Sequence, residues 1–431
     1  MERRDFLGSA ASAAALSLLP HSLFAENTSR RIRFESPFDG AVIHKRSGFP
    51  LKNVVYEGQT AKLLNIEIKG SFSPDPMLRL KLVDSKNPQK EIPITIAGNK
   101  FSATAPLTDL LTTLTASLVD SNGKTVDSAF TRIIWLKNSR RRFRFFIDDN
   151  IYCIRDIQTK KYKSLFDSVY MNNLRNFHRK YGIKVMLNMF YTTPDKDFTL
   201  SDFSDRYKSE WKENADWLRL AYHSRAEFPD RSLLTATRQG LNEEIELIEG
   251  EILRFAGKDS LAPPTCLHWG TIDRKLLSLF VQKGTKVFCN GVWPLSKPEF
   301  LDKYQVPRAA SYYLSKNDAW YDFETGLLFA SGEVCCNILE NTPEKLVSLL
   351  KKASGEKNVA ELLSIMTHEP YFWPFHKDYI PDHWDRLDAC FRFVVENGYQ
   401  PAFPQDEQFS ALVDTLRKKK QGNELDRLPR N

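Results

Sequence analysis

The feature that most constrains this fold is a change of rhythm near Asn138. Before it, short runs alternate apolar and polar side chains. After it, solidly apolar runs alternate with amphipathic stretches of helix length. A strand covered on one face repeats every second residue, whereas a strand covered on both faces is apolar throughout. The two halves of the chain therefore read as unlike domains.

In the first half, Ala61–Lys69 and Met77–Val83 keep the two-residue period, and turn residues follow each run: Gly70, Ser73-Pro74-Asp75-Pro76, Asn87-Pro88 and Ala97-Gly98-Asn99. The pair Asn122-Gly123 lies between Leu114–Val119 and Thr125-Val126, a hairpin signal. About seven short strands over residues 31–138 predict an all-β immunoglobulin-like sandwich domain. Its lone His44 reads as a solvated group.

Over residues 140–405, predicted strands at Phe143–Ile147, Ile183–Phe190, Leu218–Tyr222, Lys286–Cys289 and Leu362–Met366 alternate with predicted helices. The helices fall at Tyr162–Tyr181, Asn242–Ala256, Arg274–Gly284, Pro343–Ala353 and Asp382–Asn397. Such alternation means parallel strands with crossover helices, and its length suits an irregular (β/α) barrel better than an open sheet. No GxGxxG follows the first strand and no GxxxxGK[ST] occurs, which argues against a dinucleotide fold or a nucleotide triphosphatase. Residues 406–431 read as a charged C-terminal helix and tail, loosely docked.

Composition narrows the function classes. With 42% hydrophobic and 27% charged residues in 431, the chain has an ordinary globular balance. The net charge of +7 is modest, and basic residues cluster only at Arg140-Arg141-Arg142-Phe143-Arg144 and Lys418-Lys419-Lys420, so no nucleic acid partner is expected. Six cysteines without a CxxC spacing make neither a disulfide scaffold nor a structural zinc site, and they read as buried free thiols. No internal apolar run is long enough to cross a membrane.

Residues 1–25 read as a signal peptide: a charged start, an Ala/Leu stretch and a cleavage point after Ala25. Arg3-Arg4-Asp5-Phe6-Leu7 resembles the twin-arginine pattern, which implies the twin-arginine export machinery as a partner and a periplasmic or extracellular location. That route carries proteins folded before export, often with a metal already loaded. No cysteine lies near the cleavage point, so no stable membrane anchor is expected.

Barrel enzymes carry reactive groups at the C-terminal ends of their strands. Four such ends stand out: Asp148-Asp149-Asn150; His223 with Glu227 four residues on; Thr265-Cys266-Leu267-His268-Trp269-Gly270; and Thr367-His368-Glu369. Alone, an Asp-Asp pair can merely cap a helix and a His–Glu pair can merely decorate a surface. Together the four ends mark a site suited to gripping a cation.

Over Arg144 to Pro404 the chain resembles the polysaccharide deacetylases, the NodB-homology group of carbohydrate esterases. Phe146-Ile147-Asp148-Asp149 is similar to that family's F-D-D motif with one residue inserted, and His223-Ser224-Arg225-Ala226-Glu227 to its H-[ST]-x-x-H motif with Glu for the last His. Met366-Thr367-His368 is similar to its L-x-H motif, Lys180–Phe190 to its "YGIKATFFV" strand, and Glu396–Phe403 to its closing "GY-x-F" strand. The resemblance implies Asp148 as catalytic base, Asp149, His223 and Glu227 as metal ligands, and His368 as general acid. It implies a divalent metal as cofactor, Zn²⁺ suiting carboxylate and imidazole donors, and a carbohydrate substrate whose acetyl or other acyl groups are hydrolysed.

The departures are specific. The family's R-x-P-Y-G motif aligns with Cys266-Leu267-His268-Trp269-Gly270 and its arginine is absent, while the glycine after D-D is Asn150. His268 then reads as a fourth ligand or a substrate contact. Trp269, Trp320 and Tyr371 read as sugar-stacking groups on top-face loops, with Trp293 a further candidate. Trp211 and Trp217 read as packing, and His376 and His383 as surface groups. Two alternatives stay open: glycoside hydrolysis with Asp148 paired to Glu227 or Glu369, and a non-catalytic carbohydrate-binding or envelope protein.

Overall fold

The computed structural model describes residues 31–44, 54–57, 60–289, 306–331, 333–356, 358–405 and 407–421. The expected signal peptide and Trp293 lie outside these residues.

The first half supplies β1 (Ile32–Ser36), β2 (Ala41–His44), β3 (Val54–Glu57), β4 (Thr60–Phe72), β5 (Arg79–Asp84), β6 (Ile94–Ala97), β7 (Lys100–Leu107), β8 (Leu111–Val119) and β9 (Thr125–Leu136). One antiparallel sheet runs β1-β4-β7-β6, with β3 on β4. Facing it, β5, β8 and β9 pair antiparallel. Leu64, Ile66, Ile68, Phe101, Leu114, Leu118 and Trp135 fill the space between. The period-two text of this half is thus spent on two facing sheets. Gly123, at φ +79°, turns the β8–β9 hairpin in the left-handed region that glycine enters without cost.

The second half supplies β10 (Arg142–Asn150), β11 (Val185–Phe190), β12 (Leu218–Ser224), β13 (Val287–Cys289), β14 (Ala319–Asp322), β15 (Leu327–Ala330), β16 (Glu333–Cys335), β17 (Leu362–His368) and β18 (Gln400–Ala402). A parallel sheet runs β12-β11-β10-β17-β16, with β18 along the start of β10. All nine residues of β10 are buried, Arg142 and Arg144 among its phenylalanines included. Helices cover the sheet. In Arg238–Phe255 the buried residues Leu241, Ile245, Ile248, Ile252 and Phe255 keep helical spacing, and Thr237 caps the start by accepting from the Gly240 N–H at 3.1 Å. Beyond β12 the pairing thins to a bridge at Leu220 and Leu261 and a bond from the Cys289 N–H to the Thr265 carbonyl at 2.7 Å. The fold is mixed α/β in three sheets, and a closed ring of strands is not among the described pairings.

The third sheet joins the halves. Its order is β13-β15-β14-β2-β9-β8-β5, so one sheet passes from the sandwich into the α/β part. The join is β2, parallel to β9 on one side and meeting β14 at Ala41 and Trp320 on the other. At Gly40 (φ +85°) a side chain would collide with the Tyr321 carbonyl oxygen. Two expectations are corrected at this seam. His44 is 3% exposed rather than solvated, with Nε2 3.4 Å from Asp318 Oδ2, the residue before β14. The helix Glu407–Gln421 is firmly docked, burying Phe409, Leu412, Val413 and Leu416 against Val42, Ile134 and Leu328. Among the described residues no helix is long and apolar enough to cross a membrane.

Candidate metal centre

The site begins with a defect in a ladder. Against β17, β10 runs in unbroken parallel register from Arg142–Leu362 to Asp148–His368. Against β11 the register shifts: Ile147 faces Leu187, but Asn150 faces Met189. Three steps on β10 oppose two on β11, so the strand bulges, and Asp149 sits at φ +63° in the left-handed region. Asn150 holds the bulge. Its Nδ2 donates to the carbonyls of Ile147 (2.6 Å) and Asn188 (3.1 Å), and its Oδ1 accepts from the Tyr170 hydroxyl at 3.0 Å. Successive side chains of a regular strand point to opposite faces. Here the bulge lets both carboxylates reach one imidazole: Asp149, His223 and His268 form one buried group, and Asp148, His223 and Cys266 a second, ligand atoms lying within 4.8 Å of one another in each.

His223 ends β12. Its Nδ1 donates to the Cys266 carbonyl at 2.9 Å, which fixes the tautomer and turns Nε2 to Asp149 Oδ1 at 3.2 Å. Burial works against charge on this ring, but Asp148 and Asp149 outweigh it and raise its pKa above the ordinary imidazole value. His268 is 4% exposed, and neither ring nitrogen has a hydrogen-bond partner. Its Nε2 instead looks at Asp149 Oδ1 (3.8 Å) and Glu227 Oε2 (3.6 Å). A buried imidazole facing two carboxylates without hydrogen bonds is the donor set a cation completes. Asp149, His223 and His268 therefore come together, with Glu227 beside His268 and outside the tight trio.

Asp148 is 4% exposed and accepts from Asn188 Nδ2 at 2.6 Å and the Cys266 thiol at 3.3 Å. Across the β10–β17 ladder stands His368, whose Nδ1 meets Asn337 Oδ1 at 2.9 Å. Glu369 has a different task. It accepts from the backbone N–H groups of Ile151 (2.7 Å), Tyr152 (2.9 Å) and Cys153, and from Trp373 Nε1 at 3.2 Å. It thus satisfies the open amides at the start of the helix Tyr152–Lys160, which has no side-chain cap of its own. Burial pushes its pKa up to about 7.

The aromatic candidates separate. Trp269, at φ +62°, lies beside His268 with ring centroids 5.8 Å apart, and Tyr371 lies 6.2 Å from the His368 ring. Trp320 is not brought to this cluster: it is 6% exposed at the seam, donates to the Asp39 carbonyl at 2.7 Å and stacks on Phe329. His383, expected at the surface, is 1% exposed; it stacks flat on Phe372 with centroids 4.0 Å apart, and Nε2 lies 2.6 Å from Thr367 Oγ1. Sequence reasoning missed Asn188, Asn337 and the Cys266 side chain. Asn188 did carry a signal, as the one polar residue inside the apolar run Val185–Phe190.

No protein-family model matches the chain. No curated protein matches it either. Among solved structures, it is similar to a polysaccharide deacetylase from Bacillus cereus, at 13% identity and a TM-score of 0.22 over 52% of this chain and 84% of that one. It is also similar to the fibronectin(III)-like modules of CbhA from Clostridium thermocellum, at 12% identity and a TM-score of 0.18 over 28% of this chain. This chain spans 57% of the length of those modules. Overlaps this slight assign neither fold nor function, and the chemistry of the cluster has to be read from its own atoms.

Proposed function

We propose that this chain is an exported, metal-dependent hydrolase that removes N- or O-linked acetyl or other acyl groups from a carbohydrate. The observation that carries the reading is the convergence of Asp149, His223 and His268 beside two further groups able to move protons, Asp148 and His368. A divalent ion, Zn²⁺ by its donor set, would be held by Asp149, His223 and His268 near Glu227, and would supply Lewis-acid polarisation of a carbonyl and acidify a water.

The remaining steps belong to the chain's own groups. Asp148, steadied by Asn188 and the Cys266 thiol, takes the proton of the attacking water. His368, on the neighbouring strand, gives a proton to the departing sugar amine or alcohol. Cys266 stands where the resembled family has its arginine, so Asp148 has a weak neutral donor there instead of a cation.

Closure of the strands into a barrel is part of the proposal: β15 pairs with β13, β16 pairs with β17, and only two residues separate β15 from β16. So are export by the twin-arginine machinery and a periplasmic or extracellular site of action, supported by Arg3-Arg4-Asp5-Phe6-Leu7. Glycoside hydrolysis through Glu369 is disfavoured, since four hydrogen bonds tie that carboxylate to a helix start and an indole.

The test is elemental analysis of the purified protein beside His223→Ala and His268→Ala, followed by acetate release from acetylated glycans. About one metal per chain in the wild type, lost in both variants, with release abolished by a chelator, supports the reading. No metal after incubation with zinc, cobalt or manganese would sink it.

A further inference from the structure

The amide of Asn337, just past β16, receives three donors on one atom. Its Oδ1 accepts from His368 Nδ1 at 2.9 Å, from the Cys335 thiol at 3.1 Å and from the Thr367 hydroxyl at 3.3 Å. That atom is the carbonyl oxygen, the member of the amide that can accept from all three. The backbone on either side is clamped. Buried Arg386, from the helix His383–Glu396, donates through Nη1 to the carbonyls of Cys336 (3.1 Å) and Ile338 (2.9 Å), so Asn337 is 1% exposed and cannot swing away. Behind Thr367, His383 Nε2 approaches the hydroxyl at 2.6 Å. Thr367 and His368 thus meet the same Asn337 oxygen from two sides.

We propose that Asn337 is a positioning residue for His368: by accepting from Nδ1 it holds the neutral ring in the Nδ1–H tautomer, so that Nε2 is the nitrogen that gains and gives up the proton. This rests on the reading of His368 as general acid. A neutral amide fixes the tautomer and ring orientation as a carboxylate would, but without a charge to favour the imidazolium, so the acid parts with its proton more readily. The ionisable groups around His368 are Asp148, level with it on β10; Cys335 beside Asn337; His383 behind Thr367; Arg386 behind the clamped loop; and Tyr371, ring centroid 6.2 Å away.

The experiment is ¹⁵N NMR of the full chain with labelled histidines, His368 being assigned by its loss in His368→Gln. The expected result is a protonated Nδ1 and a bare Nε2 in the wild-type neutral ring, and in Asn337→Asp an upward move of the His368 titration by at least one pH unit. A wild-type ring protonated on Nε2, or a titration that Asn337→Asp leaves in place, overturns the proposal. The wild-type spectrum needs no variant to fold and no substrate, so absence of acetate release would strike the hydrolase reading and leave this one standing. Where acetate release is measurable, Asn337→Leu lowers kcat at least tenfold with KM within about twofold and metal content unchanged. A fall confined to KM would contradict a role exercised through the acid.

Discussion

His383 offers the sharpest energetic test of the network behind the candidate acid. Burial lowers its pKa from the ordinary 6.5 to about 3, so between those values the unfolded chain takes up a proton that the fold refuses. The sign follows: a base whose folded value is depressed loses stability as pH falls through 6.5 and toward 3. At pH 5.5, one unit below the unfolded value, the penalty is about 1.4 kcal/mol, and at pH 4.5 it is about 2.7 kcal/mol. The ring cannot escape by local movement, since it lies flat on Phe372 and bonds to Thr367. The assay is urea unfolding of wild type and His383→Gln at pH 7.5, 5.5 and 4.5, with the change in free energy compared between the two proteins. The variant loses the stack and is weaker at every pH, so the slope carries the result. It should fall less steeply than wild type by about 1.4 kcal/mol between pH 7.5 and 5.5. Equal slopes within about 0.5 kcal/mol would refute the claim that His383 is held neutral by burial. The comparison must be differential because Glu369, pushed up to about 7, acts in the opposite sense over much of the same range.

Other outcomes follow from the same geometry. Glu369→Ala strands three backbone amides and the Trp373 indole and should cost about 3 kcal/mol in urea unfolding at neutral pH, while metal content stays at the wild-type level. Because the folded Glu369 value lies above its ordinary 4.5, the stability it lends is full below 4.5 and lost as pH rises through about 7; the alanine variant lacks that decline. Asp149→Gly relieves a left-handed aspartate and removes a buried carboxylate, so the metal-free variant should melt no lower than metal-free wild type yet bind no metal in a zinc titration. Trp320→Ala should cost about 3 to 5 kcal/mol through the seam and leave zinc affinity unchanged, which would fail if this ring belonged to the metal cleft.

The architecture was legible where burial imposes a period. Alternation in Ala61–Lys69 and Met77–Val83 gave β4 and β5, the apolar runs gave β10, β11, β12 and β17, and Asn122-Gly123 gave the β8–β9 turn. His44 and His383 were misjudged for one shared reason. Each has charged residues beside it in the text, and each is buried by a contact that its own segment does not show: Asp318 for His44, the Phe372 ring for His383. The seam was invisible because Ala319–Asp322 is too short to show any period.

By itself the sequence determined which groups lie at the ends of the central strands: Asp148-Asp149, His223 and His368; His268, expected at a strand end, instead opens a single helical turn, His268–Gly270. The tertiary structure alone decided which of those groups meet. The extra residue in β10 turns Asp149 toward His223 and His268, and His268 comes closer to Asp149 than the spacing of His223 and Glu227 suggested. Spacing along one segment fixes neighbours only within a regular element. Register between strands is set by the packing of the whole sheet, and a single bulge there outweighs any local pattern.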